Sequence, residues 1–126
     1  MSLNTPLKDV RGLGSAKDGT AHFWHQRLTA IALVPLVTWF IISLICLSGA
    51  NYDEARAFLE QPINAILMAA LIGAGLFHMK LGLQVVVEDY VHGAAAKYIC
   101  LILNTLGSAL LAVAAFYSIL TIGLGG

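Results

Sequence analysis

His78 and Lys80 interrupt an apolar run in the segment FHMKLGLQVVVEDYVHG, residues 77–93, which then closes on Glu88, Asp89 and Tyr90. An imidazole held away from water can ligate a metal or pass a proton, and a carboxylate beside a phenol can exchange protons and donate hydrogen bonds. Ionisable groups inside a bilayer are costly unless they are paired or serve a purpose, so His78 is a functional candidate by position. Asp89 follows it by eleven residues, which is about 16 Å along a helix and nearly the same face. That puts an acid and a phenol near one end of anything His78 holds. The alternative is a tyrosine of an interfacial aromatic belt beside solvated acids.

The neighbours of His78 on a helix are small. Every fourth residue reads Ala70, Ala74, His78 and Gly82, with Gly75 one turn away, so the face around the imidazole is cleared of bulk. Two readings follow. The clearing could admit a flat macrocycle edge-on, with His78 on its iron, or it could be a close helix contact of small residues with His78 hydrogen-bonding across it. Under the first reading a haem used for electron transfer wants two axial ligands, and no other histidine lies deep in an apolar run, so the second ligand comes from another chain.

Lys80 points to a different face, about two turns from the end of the run, and its stem can snorkel to the headgroups. Upstream, GTAHFWHQR gathers His22, His25 and Arg27 around the interfacial Trp24. These cations could bind lipid phosphates, or they could hold the propionates of a haem, since a guanidinium makes bidentate contacts with carboxylates.

The elements that must position these groups are membrane spans. The chain has 126 residues, 59% of them hydrophobic and 11% charged, with a mean hydropathy of +0.82, far too apolar for a small soluble domain. Three apolar stretches, about 23–47, 63–87 and 97–124, are each long enough to cross about 30 Å of hydrocarbon. The sequence therefore predicts an all-α membrane protein with three transmembrane helices over residues 22–126, preceded by a polar, irregular arm over 1–21. Gly49, Asn51 and Pro62 punctuate a short aqueous loop between the first two spans, and Gly93 breaks the chain between the second and third. The third span offers Gly107, Ser108, Ala112 and Ala115 for close packing, so a lone monomer is not expected.

The arm lacks a cleavable apolar core and is too poor in arginine for a transit peptide, so the expectation is mature sequence in a bacterial inner membrane. Lys8, Arg11, Lys17 and Arg27 precede or open the first span, whereas Arg56 is the only cation among Asp53, Glu54 and Glu60 in the first loop. The positive-inside bias then puts the N-terminus in the cytoplasm and the C-terminus in the periplasm. Cys46 and Cys100 lie in different spans and form no redox or haem-attachment pattern. No phosphate loop, internal repeat or intramembrane carboxylate pair is present, which excludes the usual soluble active sites. Membrane lipids are expected partners and nucleic acid is not.

GSAKDGTAHFWHQRLTAIAL followed some fifty residues later by HMKLGLQVVVEDYVH resembles the smaller, D-type hydrophobic anchor subunits of succinate dehydrogenase, respiratory complex II. The likeness covers essentially the whole chain. Its specific part is a histidine with a glycine four residues later and Asp-Tyr eleven and twelve residues later. It implies half of a six-helix, heterodimeric, haem-binding anchor, paired with a C-type cytochrome b subunit and docked to iron–sulfur and flavoprotein subunits. It further implies that His78 is one axial ligand of a haem b, that Arg27 and His22 lie near a propionate or the quinone pocket, and that Tyr90 and Asp89 belong to a ubiquinone site. The chain would then be a non-catalytic subunit, with succinate oxidised on other polypeptides. The competing expectations are a fumarate reductase type of anchor working in the opposite direction, and a small proton-coupled membrane transporter using His78, Lys80 and Asp89 as a relay.

Overall fold

The computed structural model describes Val10 and residues 17–124, with side chains described from Thr20 onward apart from Val10. Among the described residues, four helices with defined bounds follow in order: α1 (Lys17–Cys46), α2 (Tyr52–Glu60), α3 (Pro62–Tyr90) and α4 (Ala94–Gly123). Within them Thr20–Cys46, Pro62–Tyr90 and Ala94–Gly123 are long and apolar enough to cross a membrane. The three-span reading thus holds. The helices overrun the expected bounds because α3 continues through Glu88, Asp89 and Tyr90, leaving only residues 91–93 as the turn before α4. The last part of the arm is also helical from Lys17, while residues 1–9 and 11–16 lie outside the described ones.

The segment between the first two spans is not the plain loop that its glycine and proline imply. It contains α2, started by Asn51, whose side chain accepts from the Glu54 backbone N–H at 3.0 Å while the Glu54 carboxylate accepts from the Asn51 N–H at 3.0 Å. This reciprocal cap satisfies two backbone donors that a helix start leaves open. Arg56 donates to Glu60 at 2.9 Å one turn on; hydrogen bonds to Glu60 first and Tyr52 second raise the Arg56 pKa above its ordinary value. Nine residues are too few for a stable isolated helix in water. Tertiary contacts hold it: the Phe58 ring stacks on Trp39 of α1 at 6.3 Å, and Asn64 of α3 donates to the Phe58 carbonyl at 2.8 Å. Before α2, Gly49 turns the chain at φ +88°, a conformation that costs a residue with a Cβ.

α3 is the central element. It packs against α1 on one side and α4 on the other, and α1 and α4 do not meet among the described residues. The burial pattern is inverted relative to a soluble bundle. Leu81 is the one buried hydrophobic residue among those described, whereas the buried polar residues are Ser43, Asn64 and Ser108. Large apolar side chains such as Ile31, Ile66 and Leu110 point outward, as a lipid solvent requires. Between helices that lipid surrounds, small residues and hydrogen bonds drive association in place of the hydrophobic effect. One such bond runs from Asn104 of α4 to the Lys80 carbonyl of α3 at 2.9 Å. Of the small residues expected to pack closely on α4, Ser108 is buried and Ala112 and Ala115 are half-buried, but Gly107 faces open space.

Candidate functional site

α1 and α3 run antiparallel, so the beginning of α1 lies beside the end of α3. On α1, His22, Gln26, Thr29 and Leu33 recur at helical spacing and are all at least partly buried. This stripe faces α3, where it meets His78. Thr29 Oγ1 lies 3.0 Å from His78 Nδ1, and Gln26 Nε2 lies 3.3 Å from His78 Nε2.

The Thr29 hydroxyl decides what these contacts mean. Its single proton is within reach of two carbonyls of its own helix, those of His25 at 2.8 Å and Gln26 at 3.0 Å. With that proton given to a carbonyl, the oxygen is left to accept, and His78 Nδ1–H donates to it. The other nitrogen, Nε2, then carries the free lone pair, and the neighbouring Gln26 amide donates into it. That is the tautomer in which an imidazole can ligate a metal through Nε2.

The small residues around His78 serve a helix contact in this chain. A Cβ at Gly82 would stand 3.6 Å from Gln26 Nε2, and one at Gly75 would stand 3.9 Å from a Leu33 methyl. α1 therefore fills the clearing, and His78 hydrogen-bonds across it. The contact at Nε2 is nevertheless a loose one. It is long for a hydrogen bond, and the Gln26 Oε1 is buried without a partner. His22 Nε2, one turn further toward the start of α1, is also buried and unpartnered.

Near the same end of the molecule His25 packs edge-on against Phe77, with ring centroids 5.9 Å apart, and the Arg27 guanidinium lies 4.4 Å over the Phe23 ring. Arg27 is exposed, pointing away from the stripe that holds Gln26 and Thr29. Asp89 and Tyr90 end α3, both exposed, Tyr90 to 78%. Neither makes a side-chain hydrogen bond among the described residues. The neighbouring Glu88 is braced: its carboxylate accepts from Gln84 at 2.8 Å and its carbonyl from Lys97 Nζ at 2.8 Å. The structure thus joins His78 to α1 and leaves Asp89 and Tyr90 on an open rim. Thr29 and Gln26 were not singled out by sequence reasoning; the available signal was their helical spacing with His22 in a polar stripe on an otherwise apolar helix.

Residues 1–121 match the model of the succinate dehydrogenase/fumarate reductase transmembrane subunit family. The chain belongs to this family. Among curated relatives, the succinate dehydrogenase hydrophobic membrane anchor subunit of Paracoccus denitrificans is 32% identical over 121 residues, covering 96% of this chain and 93% of that one. The subunit of the same name from Rickettsia bellii is 34% identical over 113 residues, covering 90% and 82%. The succinate dehydrogenase membrane anchor subunit of Reclinomonas americana is 27% identical over 93 residues, covering 69% and 75%. No solved structure matches. Membership in this transmembrane subunit family, together with the three apolar helices, makes the chain a multi-pass membrane protein.

Proposed function

We propose that this chain is the smaller membrane anchor of a succinate:ubiquinone oxidoreductase, that His78 is one axial ligand of a haem b shared with a C-type anchor subunit, and that Tyr90 and Asp89 contribute to the ubiquinone site. The observation that carries the haem reading is the contact between His78 Nδ1 and the Thr29 hydroxyl at 3.0 Å. With the Thr29 proton given to its own helix, its oxygen accepts a hydrogen bond from Nδ1–H, and Nε2 presents its lone pair within the α1–α3 seam. The residues fit a macrocycle on one condition. The α1 side chains that cover the clearing, Gln26 over Gly82 and tied to Nε2 only by the 3.3 Å contact, and Leu33 over Gly75, would have to swing aside together to open the seam at His78.

In that assembly His78 would hold the iron and the buried, unpartnered His22 Nε2 would meet a propionate, while Arg27, exposed on another face of α1, would reach one only by leaving the Phe23 ring and turning back toward this stripe. When bound, the haem supplies a one-electron store between the iron–sulfur subunit and quinone. Thr29 keeps the imidazole in one tautomer and one orientation. Tyr90 O–H donates a hydrogen bond to a quinone carbonyl, and the Asp89 carboxylate beside it exchanges protons with water, which suits a reduction that consumes two protons. The exposure of both side chains supports a pocket completed by other subunits. Succinate oxidation belongs to the flavoprotein, so this chain is a non-catalytic subunit of the enzyme. The N-terminus lies on the cytoplasmic side of a bacterial inner membrane, where those soluble subunits dock.

The relatives named above are all succinate dehydrogenase anchors, which favours that direction over fumarate reduction, and family membership favours an anchor over a proton-coupled transporter. Purification through this chain should bring down three further polypeptides with succinate:quinone reductase activity. Recovery as a stable single polypeptide would contradict the reading.

A further inference from the structure

The last turn of α3 carries Asp89 and Tyr90, yet nothing buries it: Glu88, Asp89 and Tyr90 are all exposed. α3 has 29 residues and is about 44 Å long, so against about 30 Å of hydrocarbon it projects about 7 Å at each end. The turn therefore stands among headgroups and water. Helix ends in such surroundings fray, because their final carbonyls have no N–H four residues on. Neither Asp89 nor Tyr90 is held by a side-chain hydrogen bond among the described residues, so the direction of both is set by the backbone that carries them.

Two bonds hold that backbone. Val91 N–H donates to the Val87 carbonyl at 3.1 Å, and the Lys97 ammonium, from α4, donates to the Glu88 carbonyl at 2.8 Å. Within α3 the Glu88 carbonyl could be met only by the N–H of His92. The chain leaves the helix at Val91, whose extended backbone (φ −94°, ψ 106°) carries His92 away from it. Lys97 closes the open carbonyl from across the turn. Its own backbone N–H donates to the Gly93 carbonyl at 2.8 Å and starts α4, so one residue fastens both sides of the 91–93 connection.

α4 alone gives no reason for a lysine here. The positive end of a helix dipole lies at its start, where a cation is unfavourable, and α4 opens Ala94, Ala95, Ala96, Lys97 with no acidic residue in its first turn. At the end of α3 the same ammonium meets the negative end of a helix and a free carbonyl, the setting that favours a lysine. The nearby carboxylate does not draw it away. Glu88 Oε1 accepts from Gln84 Nε2 at 2.8 Å on its own helix, and Lys97 forms no ion pair among the described residues.

We propose that Lys97 is a positioning residue for the quinone site, closing the end of α3 so that Tyr90 and Asp89 keep one orientation toward the quinone. This rests on the assignment of Tyr90 and Asp89 to that site. The carbonyl that Lys97 holds belongs to the peptide unit joining Glu88 to Asp89, so the lysine acts through the backbone without touching the quinone.

The test is a double-mutant cycle in the intact assembly, with quinone reductase activity and succinate oxidation by a soluble artificial acceptor measured for each form. Lys97→Met keeps an unbranched stem and removes the donor. It should lower quinone reductase kcat/KM on the order of fivefold, the weight of a single hydrogen bond, with the artificial-acceptor rate, haem spectrum and subunit content of the wild type. Lys97→Arg still donates and should restore activity. Combined with Tyr90→Phe, the loss should fall well short of the product of the two single losses, because Lys97 acts through the side chain already altered. Amide hydrogen exchange across the last turn of α3 should be faster in Lys97→Met and of wild-type rate in Lys97→Arg.

Wild-type quinone reduction in Lys97→Met, multiplicative losses in the double variant, or loss of a partner polypeptide from Lys97→Met would each overturn the proposal. So would reduced activity with exchange across the last turn unchanged, since Lys97 would then act on the quinone directly. All of these would leave the quinone reading standing as long as Tyr90→Phe alone impairs quinone reduction. A Tyr90→Phe assembly with wild-type quinone reduction would overturn that reading, and the role of Lys97 with it.

Discussion

His78 Nδ1 lies 3.0 Å from Thr29 Oγ1, a hydroxyl 49 residues away in sequence whose own proton is committed to a helix carbonyl. That relationship favours the tautomer with its lone pair on Nε2 and ties the only deep intramembrane histidine to the first helix.

Thr29→Val keeps the shape of the side chain and removes the acceptor. The imidazole becomes a poorer, less well oriented donor. Haem occupancy of the purified assembly should fall about tenfold or more, the usual cost of losing such a supporting hydrogen bond. The midpoint potential of the remaining haem should rise, because a less basic ligand stabilises the oxidised iron less. Thr29→Ser should restore both. Potentiometric titration of the assembly separates this from a packing defect, which would lower occupancy without moving the potential.

Tyr90→Phe removes one hydrogen-bond donor from an exposed rim position and should leave the fold unchanged. Quinone reductase activity should drop on the order of tenfold, one hydrogen bond's worth, while succinate oxidation with a soluble artificial acceptor stays near the wild-type rate. Equal loss of both activities would remove Tyr90 from the quinone site.

Gly82 stands where α1 comes closest to the His78 face, 3.6 Å from Gln26 Nε2 for an added Cβ, which is ordinary van der Waals contact. Gly82→Ala should therefore be tolerated and, through better helix propensity, leave thermal stability equal or higher. Gly82→Leu should overpack the seam, cost about 1–3 kcal/mol and separate Thr29 from His78. Thermal unfolding of the two variant assemblies checks the contrast.

The spans were legible because in lipid the rule is simple: a long apolar run must be a helix, since every backbone group has to be satisfied internally. Helix α2 was less so. Gly49 and Pro62 bracket it and read as ends of one loop, although Asn51 and Glu54 carry the capping-box spacing. What stabilises it, the Trp39–Phe58 stack and the Asn64 bond, joins residues distant in sequence. At the site, His78 announced itself as an ionisable group in an apolar run. Its partners did not, because which face of α1 meets α3 is set by packing between the helices. The Ala and Gly pattern around His78 fitted a cofactor clearing and a helix contact equally well, and within this chain Gly75 and Gly82 serve the helix contact. Lys80 read as a snorkelling side chain at the edge of a span; the extension of α3 to Tyr90 sets it nearly three turns from the helix end and over a groove.

The reduced-minus-oxidised absorption spectrum of the purified assembly carrying His78→Ala is the sharpest measurement of whether this imidazole ligates haem. The b-type bands of the wild-type assembly should be lost or shifted to those of a differently ligated haem. Bands unchanged in position and intensity, with all subunits present, would show that His78 is not an axial ligand.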